Sequence, residues 1–176
     1  MTDKETPASS NSDETTRAQT TTEALEWHAP VMVRIDEHTT ITHLLKERVQ
    51  RGETRPLILR KIGIGDTWRS ITAREFYDEV HALAAGLIAR GLEPGDRVAI
   101  MSRTRYEWTL LDFACWAAGL VPVPIYETSS IDQVAHVLVD ADVHLIITET
   151  VSMAEIVRAA AARVNRDNTH VLSLDS

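Results

Sequence analysis

The polar segment Thr128–Ser130 comes closest, of all segments in this sequence, to a ligand-binding pattern. Three consecutive hydroxyl side chains, Thr128, Ser129 and Ser130, precede a predicted helix, and the N–H groups at a helix N-terminus attract phosphate. Gln133 follows Ser130 at the third position, which is the pattern of a capping box. Two interpretations therefore stand side by side: a cofactor-binding cluster for a phosphate group, or plain capping of the helix.

The other reactive residue types give weaker signals. Seven histidines and a single cysteine show no metal-ligand spacing, so we expect no metal site. Cys115 lies in an apolar helical segment, which predicts a buried, inert thiol. Asp140 and Asp142 are either paired carboxylates for acid–base work or parts of a solvated turn. Arg103 and Arg105 either contact an anion beside a helix start or lie in a solvated loop. We therefore assign no catalytic residue in this chain.

Strands and helices alternate in the part of the chain that would position these residues. Four short apolar strands are separated by helices, which predicts an α/β fold with a partial doubly wound, mostly parallel sheet flanked by helices. Pro122 and Pro124 each remove a backbone donor, so their strand should be irregular, bulged or close to an edge. Capping boxes at Ser130 and at Ser152/Glu155 predict two helix starts. The predicted strands cover residues 97–101, 121–125, 143–147 and 170–174.

The N-terminal third of the chain has a different organisation. Residues 1–22 are almost all polar and predict a disordered tail, because so few apolar groups cannot offset the entropy of ordering. Residues 23–176 form the folded part. There, Val31–Ile35 indicates a strand, helical spacing follows at residues 41–49, and residues 56–71 predict a β-hairpin with a glycine turn. A capping box, Thr72 with Glu75, opens a helix that Gly91 should end.

The loops that follow the predicted strands lack the features of a nucleotide site. Ligands of doubly wound sheets bind beyond the carboxyl ends of the strands. The three loops there, Ser102–Arg105, Tyr126–Ser130 and Thr148–Thr150, contain no glycine, which a dinucleotide fingerprint requires. A Walker loop needs a Gly-Lys pair, and the three lysines lie in the tail, a helix and the hairpin. We therefore expect this segment alone to bind no nucleotide cofactor.

Composition excludes several classes of protein. The formal net charge of -8 argues against a nucleic-acid-binding surface. The longest uncharged stretch, Phe113–Tyr126, is too short to span a bilayer and is interrupted by glycine and proline. The first residues carry no apolar run of a secretory signal. A single cysteine fits a reducing cytoplasm.

Three segments in the middle of the chain resemble a known family. They are Thr67–Thr72, Leu92–Ile100 and Val123–Ser130, supported by Glu107-Trp108 and by Ala117–Gly119. In order and spacing they are similar to the N-terminal subdomain of the adenylate-forming enzymes, the AMP-forming acyl-CoA synthetases, and within these to the long-chain fatty-acid–CoA ligase branch. The resemblance covers roughly residues 27–176, nearly the whole of the predicted folded part.

The resemblance implies a reaction that this segment does not carry out alone. Family members join a fatty acid to ATP, release pyrophosphate and pass the acyl group to coenzyme A, so ATP, Mg²⁺ and CoA are the implied cofactors of the full-length enzyme. Their Ser/Thr/Gly-rich loop ending in Pro-Lys-Gly and their C-terminal lysine do not occur in this sequence. We expect an incomplete, inactive N-terminal portion located in the cytoplasm, either free or peripheral to a membrane. Whether the chain counts as an enzyme stays open.

Two alternatives remain beside the ligase fragment. One is a non-catalytic interaction module built on the same half-fold, and the other is an unrelated small flavodoxin-like binding domain. For the fragment, we expect self-association through an exposed sheet edge after the last strand. The sequence leaves open the acyl-chain length and the nature of the end at Ser176.

Overall fold

Helices and strands alternate through the computed structural model, which describes residues 30, 32, 36–63 and 67–175. The predicted tail over residues 1–22, most of the predicted strand over residues 31–35, and residues 64–66 of the hairpin turn lie outside the described residues. The elements in chain order are α1 (Ile41–Gln50), β1 (Pro56–Lys61), β2 (Trp68–Thr72), α2 (Ala73–Ala89), β3 (Arg97–Met101), α3 (Tyr106–Ala117), β4 (Val121–Ile125), α4 (Ile131–Asp140), β5 (Leu145–Thr150), α5 (Val151–Arg163) and β6 (His170–Asp175).

The predicted β-hairpin is confirmed. Strands β1 and β2 pair antiparallel, with Ile58 opposite Ile71. Ile71 is completely buried and packs with Leu45 of α1 and with Phe76 and Val80 of α2. The hairpin is therefore fastened to the helices by one of its two faces.

Helix α2 begins and ends as the sequence predicts. The hydroxyl of Thr72 accepts a hydrogen bond from the N–H of Glu75 at 3.2 Å, and the Glu75 carboxylate accepts one from the N–H of Thr72 at 2.8 Å. This reciprocal capping satisfies two N–H groups that have no partner inside the helix. Gly91 follows the helix with a φ of 86°, a left-handed conformation that glycine adopts without a steric penalty.

The remaining four strands form one parallel sheet in the order β4-β3-β5-β6, with helices on both faces. Val98 and Ile100 of β3 pack on one face against α2 and α3, while Ala99 and Met101 pack on the other against α4 and α5. This alternation buries β3 on both sides. The prediction of a doubly wound α/β sheet is confirmed. Strand β4, with Pro122 and Pro124, lies at an edge, where missing donors cost least.

Three local predictions need correction. The strand predicted over residues 143–147 instead spans Leu145–Thr150 and runs into α5 without a loop. Ser152 and Glu155 are consequently inside the helix rather than at its start, and Thr150 is the cap, accepting a hydrogen bond from the N–H of Met153 at 3.3 Å. The segment from about Arg105 to Ala118 is apolar almost all round and predicts a helix buried between layers, but in α3 only Leu111, Ala114 and Cys115 are buried, against the sheet and α2.

Candidate functional site

The connections after β3 and β4 leave the sheet on opposite faces. Helix α3, which follows β3, packs with α2, whereas α4, which follows β4, packs with α5 on the other face. Ligands of doubly wound sheets bind beyond the carboxyl ends of the strands, at the point where the strand order reverses. In this sheet the order reverses between β3 and β5, because β3 connects to β4 on one side and β5 connects to β6 on the other. A cleft of about 500 Å³ lies beside this point, beyond the ends of β3 and β4, and is lined by Ser102, Thr104, Trp108, Pro124, Ile125, Tyr126 and Glu127.

A buried carboxylate fastens the β3 side of this cleft. Glu149, near the end of β5, has a side chain only 3% exposed. It accepts hydrogen bonds from the backbone N–H of Arg103 at 2.8 Å, from the Arg103 guanidinium at 2.6 Å and from the Ser102 hydroxyl at 3.2 Å. One side chain thus holds the loop after β3 against the neighbouring strand, although the two are 46 residues apart in sequence.

The electrostatics of Glu149 suit a fixed anchor. The hydrogen bonds of Arg103 lower the pKa of Glu149 to about 2, outweighing burial, which acts in the opposite direction. A carboxyl group with such a pKa is ionised throughout the neutral range and exchanges no proton there. Glu149 is therefore suited to positioning the loop rather than to acid–base catalysis.

Arg105 extends the charge network along the same edge of the sheet. Its guanidinium lies 2.7 Å from a carboxylate oxygen of Glu107, 3.2 Å from Asp175 at the end of β6, and 3.6 Å from Glu149. Hydrogen bonding to Glu107 is the main cause that raises the pKa of Arg105. Arg60 of β1 also pairs with Glu107. Arg103 and Arg105 therefore both form ion pairs with carboxylates of this chain. The sequence suggested either a contact with an anion or a solvated loop for these two residues.

The β4 side of the cleft leads into the predicted hydroxyl cluster. Tyr126 is 81% exposed at the end of β4, and the N–H of Ser129 donates to its carbonyl at 3.0 Å. Ser130 and Gln133 form the predicted capping box of α4. The capping interpretation holds for Ser130. The phosphate-binding role suggested for Thr128, Ser129 and Ser130 stays a prediction.

The remaining candidates occupy structural positions. Cys115 is completely buried, and burial raises the pKa of its thiol to about 12, which agrees with an inert residue.

The two carboxylates at the end of α4 do not form a pair. Asp142 contacts Arg166 at 2.6 Å and Arg97 at 2.7 Å, so it is an ion-pair partner, while Asp140 is exposed. Within residues 36–63 and 67–175, no group of three or more His, Cys, Asp or Glu side chains is arranged to hold a metal ion.

Sequence reasoning missed the role of Glu149 and of Asp175. The sequence predicts a loop at Glu149, because the apolar run before it ends at Ile147. The sequence held one signal for this network. Glu149 lies directly after an apolar run, and Arg103 and Arg105 lie in the loop after another predicted strand. Only the parallel pairing of β3 with β5 brings these groups together.

Comparison with known proteins adds independent findings. The family model described as "AMP-binding enzyme" matches residues 45–176. The long-chain-fatty-acid–CoA ligase FadD15 of Mycobacterium bovis is 39% identical over 139 residues, which are 79% of this chain and 23% of the relative. The chain thus spans about a quarter of the length of the curated relatives it matches.

Solved structures share the fold. Klebsiella oxytoca NpsA in complex with 3-hydroxyanthranilyl-AMSN superimposes with a TM-score of 0.59 at 28% identity, covering 76% of this chain and 24% of that one. The crystal structure of VinN gives a TM-score of 0.66 at 19% identity, covering 77% and 32% of the two chains, and supports the fold alone.

Proposed function

Because this chain belongs to the AMP-binding enzyme family, we propose that it forms the N-terminal part of a long-chain fatty-acid–CoA ligase. The observation that carries the proposal is the 39% identity to such a ligase across 79% of the chain. The reaction of the whole enzyme would convert ATP, a fatty acid and CoA to acyl-CoA, AMP and pyrophosphate. Residues 23–176 would be the N-terminal portion of the adenylate-forming domain, with residues 1–22 as a polar tail.

In this proposal the described residues supply a scaffold and one wall region of the site. The cleft between the ends of β3 and β4 is their contribution, and the Glu149 network fixes its shape. Stabilising a transferring phosphoryl group requires positioned cations and backbone donors. Since Arg103 and Arg105 are engaged by carboxylates and the sequence has no Gly-Lys phosphate loop, we assign no step of ATP chemistry to these residues. ATP, Mg²⁺ and CoA would be bound by the whole ligase.

The partners follow from the same proposal. A fatty acid and CoA would be substrates of the complete enzyme, which we place in the cytoplasm, either free or peripheral to a membrane. None of the described helices has the length and the apolar composition of a bilayer-spanning segment. Strand β6 pairs with β5 on one side and lies at the sheet edge among the described strands, which supports self-association through that edge.

The coding sequence beyond the codon for Ser176 tests the ligase proposal directly. We expect an in-frame Ser/Thr/Gly-rich loop ending in Pro-Lys-Gly, and acyl-CoA formation with palmitate, ATP and CoA by the protein that contains it. A stop codon at this position, together with binding of this chain to a separate catalytic chain, would instead favour the interaction module. A complete protein that carries the loop but adenylates no fatty acid of any length would contradict the proposal.

A further inference from the structure

A histidine closes the first turn of α1, at a position that glutamate or glutamine ordinarily occupies. The N–H of Thr40 donates to Nδ1 of His43 at 3.2 Å, and the N–H of His43 donates to the Thr40 hydroxyl at 3.3 Å. Because a backbone N–H can only donate, Nδ1 of His43 must accept, and the ring proton of the neutral imidazole is therefore on Nε2. This capping box exists only while His43 is neutral.

Protonation of the ring removes one of the two bonds of this box. Histidine gains a proton between about pH 8 and pH 5, and both of its ring nitrogens are then donors. Nδ1 then faces the Thr40 N–H as a second donor, so this N–H loses its partner. The Thr40 hydroxyl, 3.1 Å from Nδ1, can accept from the charged ring but does not replace that partner. A positive charge is also unfavourable at a helix N-terminus, where the helix dipole is positive.

Asp36, just before the helix, offers the charged ring an alternative partner. Hydrogen bonds from the Thr39 hydroxyl and from the N–H of His38, both at 2.9 Å, lower the pKa of Asp36. Its carboxylate is therefore ionised over the range in which histidine titrates, and the attraction of His43 lowers the pKa of Asp36 further. Both hydrogen bonds end on Oδ1, and within the described part of the chain no group donates to Oδ2.

The other charged groups near His43 do not compete with Asp36. The ionisable side chains that share a surface depression with His43 are Asp36, His38, Lys46 and Glu47. Lys46 and His38 have the wrong sign, and Glu47 forms an ion pair with Arg51 at 2.8 Å. Helices α2 and α3 pack on the opposite side of α1, around the buried Leu45, and none of their described side chains forms a hydrogen bond or ion pair with His43.

We propose that His43 is a pH-sensitive switch at the start of α1. When neutral, it caps the helix through Thr40; when charged, it leaves this position and pairs with Asp36. The change loosens the first turn, residues 41–44. It leaves the rest of α1 in place, because Leu45 is buried against the hairpin and α2.

NMR spectroscopy of the complete chain between about pH 8 and pH 6, above the isoelectric point of about 5.3, tests the switch. We expect neutral His43 to be the Nε2–H tautomer in long-range proton–nitrogen spectra, because its Nδ1 is an acceptor. As the ring gains its proton, the protection of the Thr40 amide from hydrogen exchange, relative to an unstructured chain at the same pH, should fall at least about threefold, as expected for a lost helix cap.

Three variants separate the parts of the switch. In His43→Gln the protection of the Thr40 amide should not change with pH, because glutamine accepts the same hydrogen bond and does not titrate. His38→Gln is the matched control and should keep the pH response, since the side chain of His38 is exposed and takes no part in the box. Asp36→Asn should move the titration of His43 to lower pH, because the charged ring loses its partner.

Four outcomes contradict the proposal. They are an Nδ1–H tautomer of His43 at about pH 8, a Thr40 amide whose protection does not depend on pH, a pH response in His43→Gln as large as that of the unsubstituted chain, and a titration of His43 that Asp36→Asn leaves unchanged. If a variant fails to fold by circular dichroism, the tautomer and the Thr40 amide of the unsubstituted chain still decide. None of these measurements depends on ligase activity.

Discussion

Replacing Glu149 with glutamine removes one negative charge from the buried end of β5 and keeps the shape of the side chain. The glutamine carbonyl can still accept the hydrogen bond from the N–H of Arg103, which lies 2.8 Å from the carboxylate. Its amide group, however, presents donors to the donors of the Arg103 guanidinium. The variant therefore loses the charge-assisted contacts and leaves part of the site unpaired.

The size of the effect follows from the pKa of Glu149. Arg103 lowers this pKa from an ordinary 4.5 to about 2. A difference of this size corresponds to about 3 kcal/mol of folding free energy when the group is ionised. Because the Arg103 side chain is 66% exposed, solvent screens the pair, and we expect about 2 kcal/mol. Since the pKa is lowered by folding, the stabilisation is complete above the ordinary pKa and disappears as the pH falls towards about 2.

Urea unfolding followed by circular dichroism measures this difference. We expect Glu149→Gln to be less stable than the unsubstituted chain at neutral pH and at about pH 5.5, with the gap closing between about pH 4.5 and 2. Glu155→Gln, an exposed substitution in the helix that follows, should change stability by less than about 0.5 kcal/mol. A Glu149→Gln variant as stable as the Glu155→Gln control, or a gap that does not depend on pH, would refute the role given to this carboxylate.

Three further predictions concern the helices. Thr150→Ala should destabilise the fold by about 1 kcal/mol because it removes the cap of α5, whereas Ser152→Ala should have little effect. Urea unfolding measures both variants. Equal losses of unfolding free energy in the two would contradict the helix start at Thr150. Cys115 should react with a thiol reagent only at the rate of unfolding, because it is buried with a raised pKa, and rapid labelling of the native chain would place it at the surface. Phe76→Ala should cost about 3–5 kcal/mol, since its ring is buried between Tyr106 and Phe113, and a loss below about 1 kcal/mol would show that the hairpin and helices do not pack there.

The sheet and most of its helices were predictable because their signals are local. The sequence predicts β3 at residues 97–101 and the strand is observed there, because a Pro-Gly turn before it and a polar loop after it mark its two ends. The edge position of β4 follows from two prolines that cannot donate hydrogen bonds. The reciprocal caps of α2 and α4 were readable from residues three apart.

The candidate site was less predictable because its contacts are distant in sequence. Ser102 and Tyr126 line one cleft only because their strands are neighbours, and Glu149 meets Arg103 only through parallel pairing. Thr150 was not predicted as the cap of α5 for a related reason. Strand β5 continues through the polar residues Thr148 and Glu149, which in the sequence are typical of a loop. Both side chains are buried because they form hydrogen bonds, Thr148 with Leu172 and Glu149 with Arg103, and not because they pack among apolar groups. Hydrophobic periodicity does not register burial of that kind.

ATP–pyrophosphate exchange tests the central claim most directly. Labelled pyrophosphate, ATP, Mg²⁺ and a long-chain fatty acid would be mixed with the purified 176-residue chain and, in parallel, with the longer protein that we expect to contain it. The account predicts label in ATP only with the longer protein, because positioning and charge stabilisation of the phosphates lie outside these residues. Fatty-acid-dependent exchange by the 176-residue chain alone would contradict it.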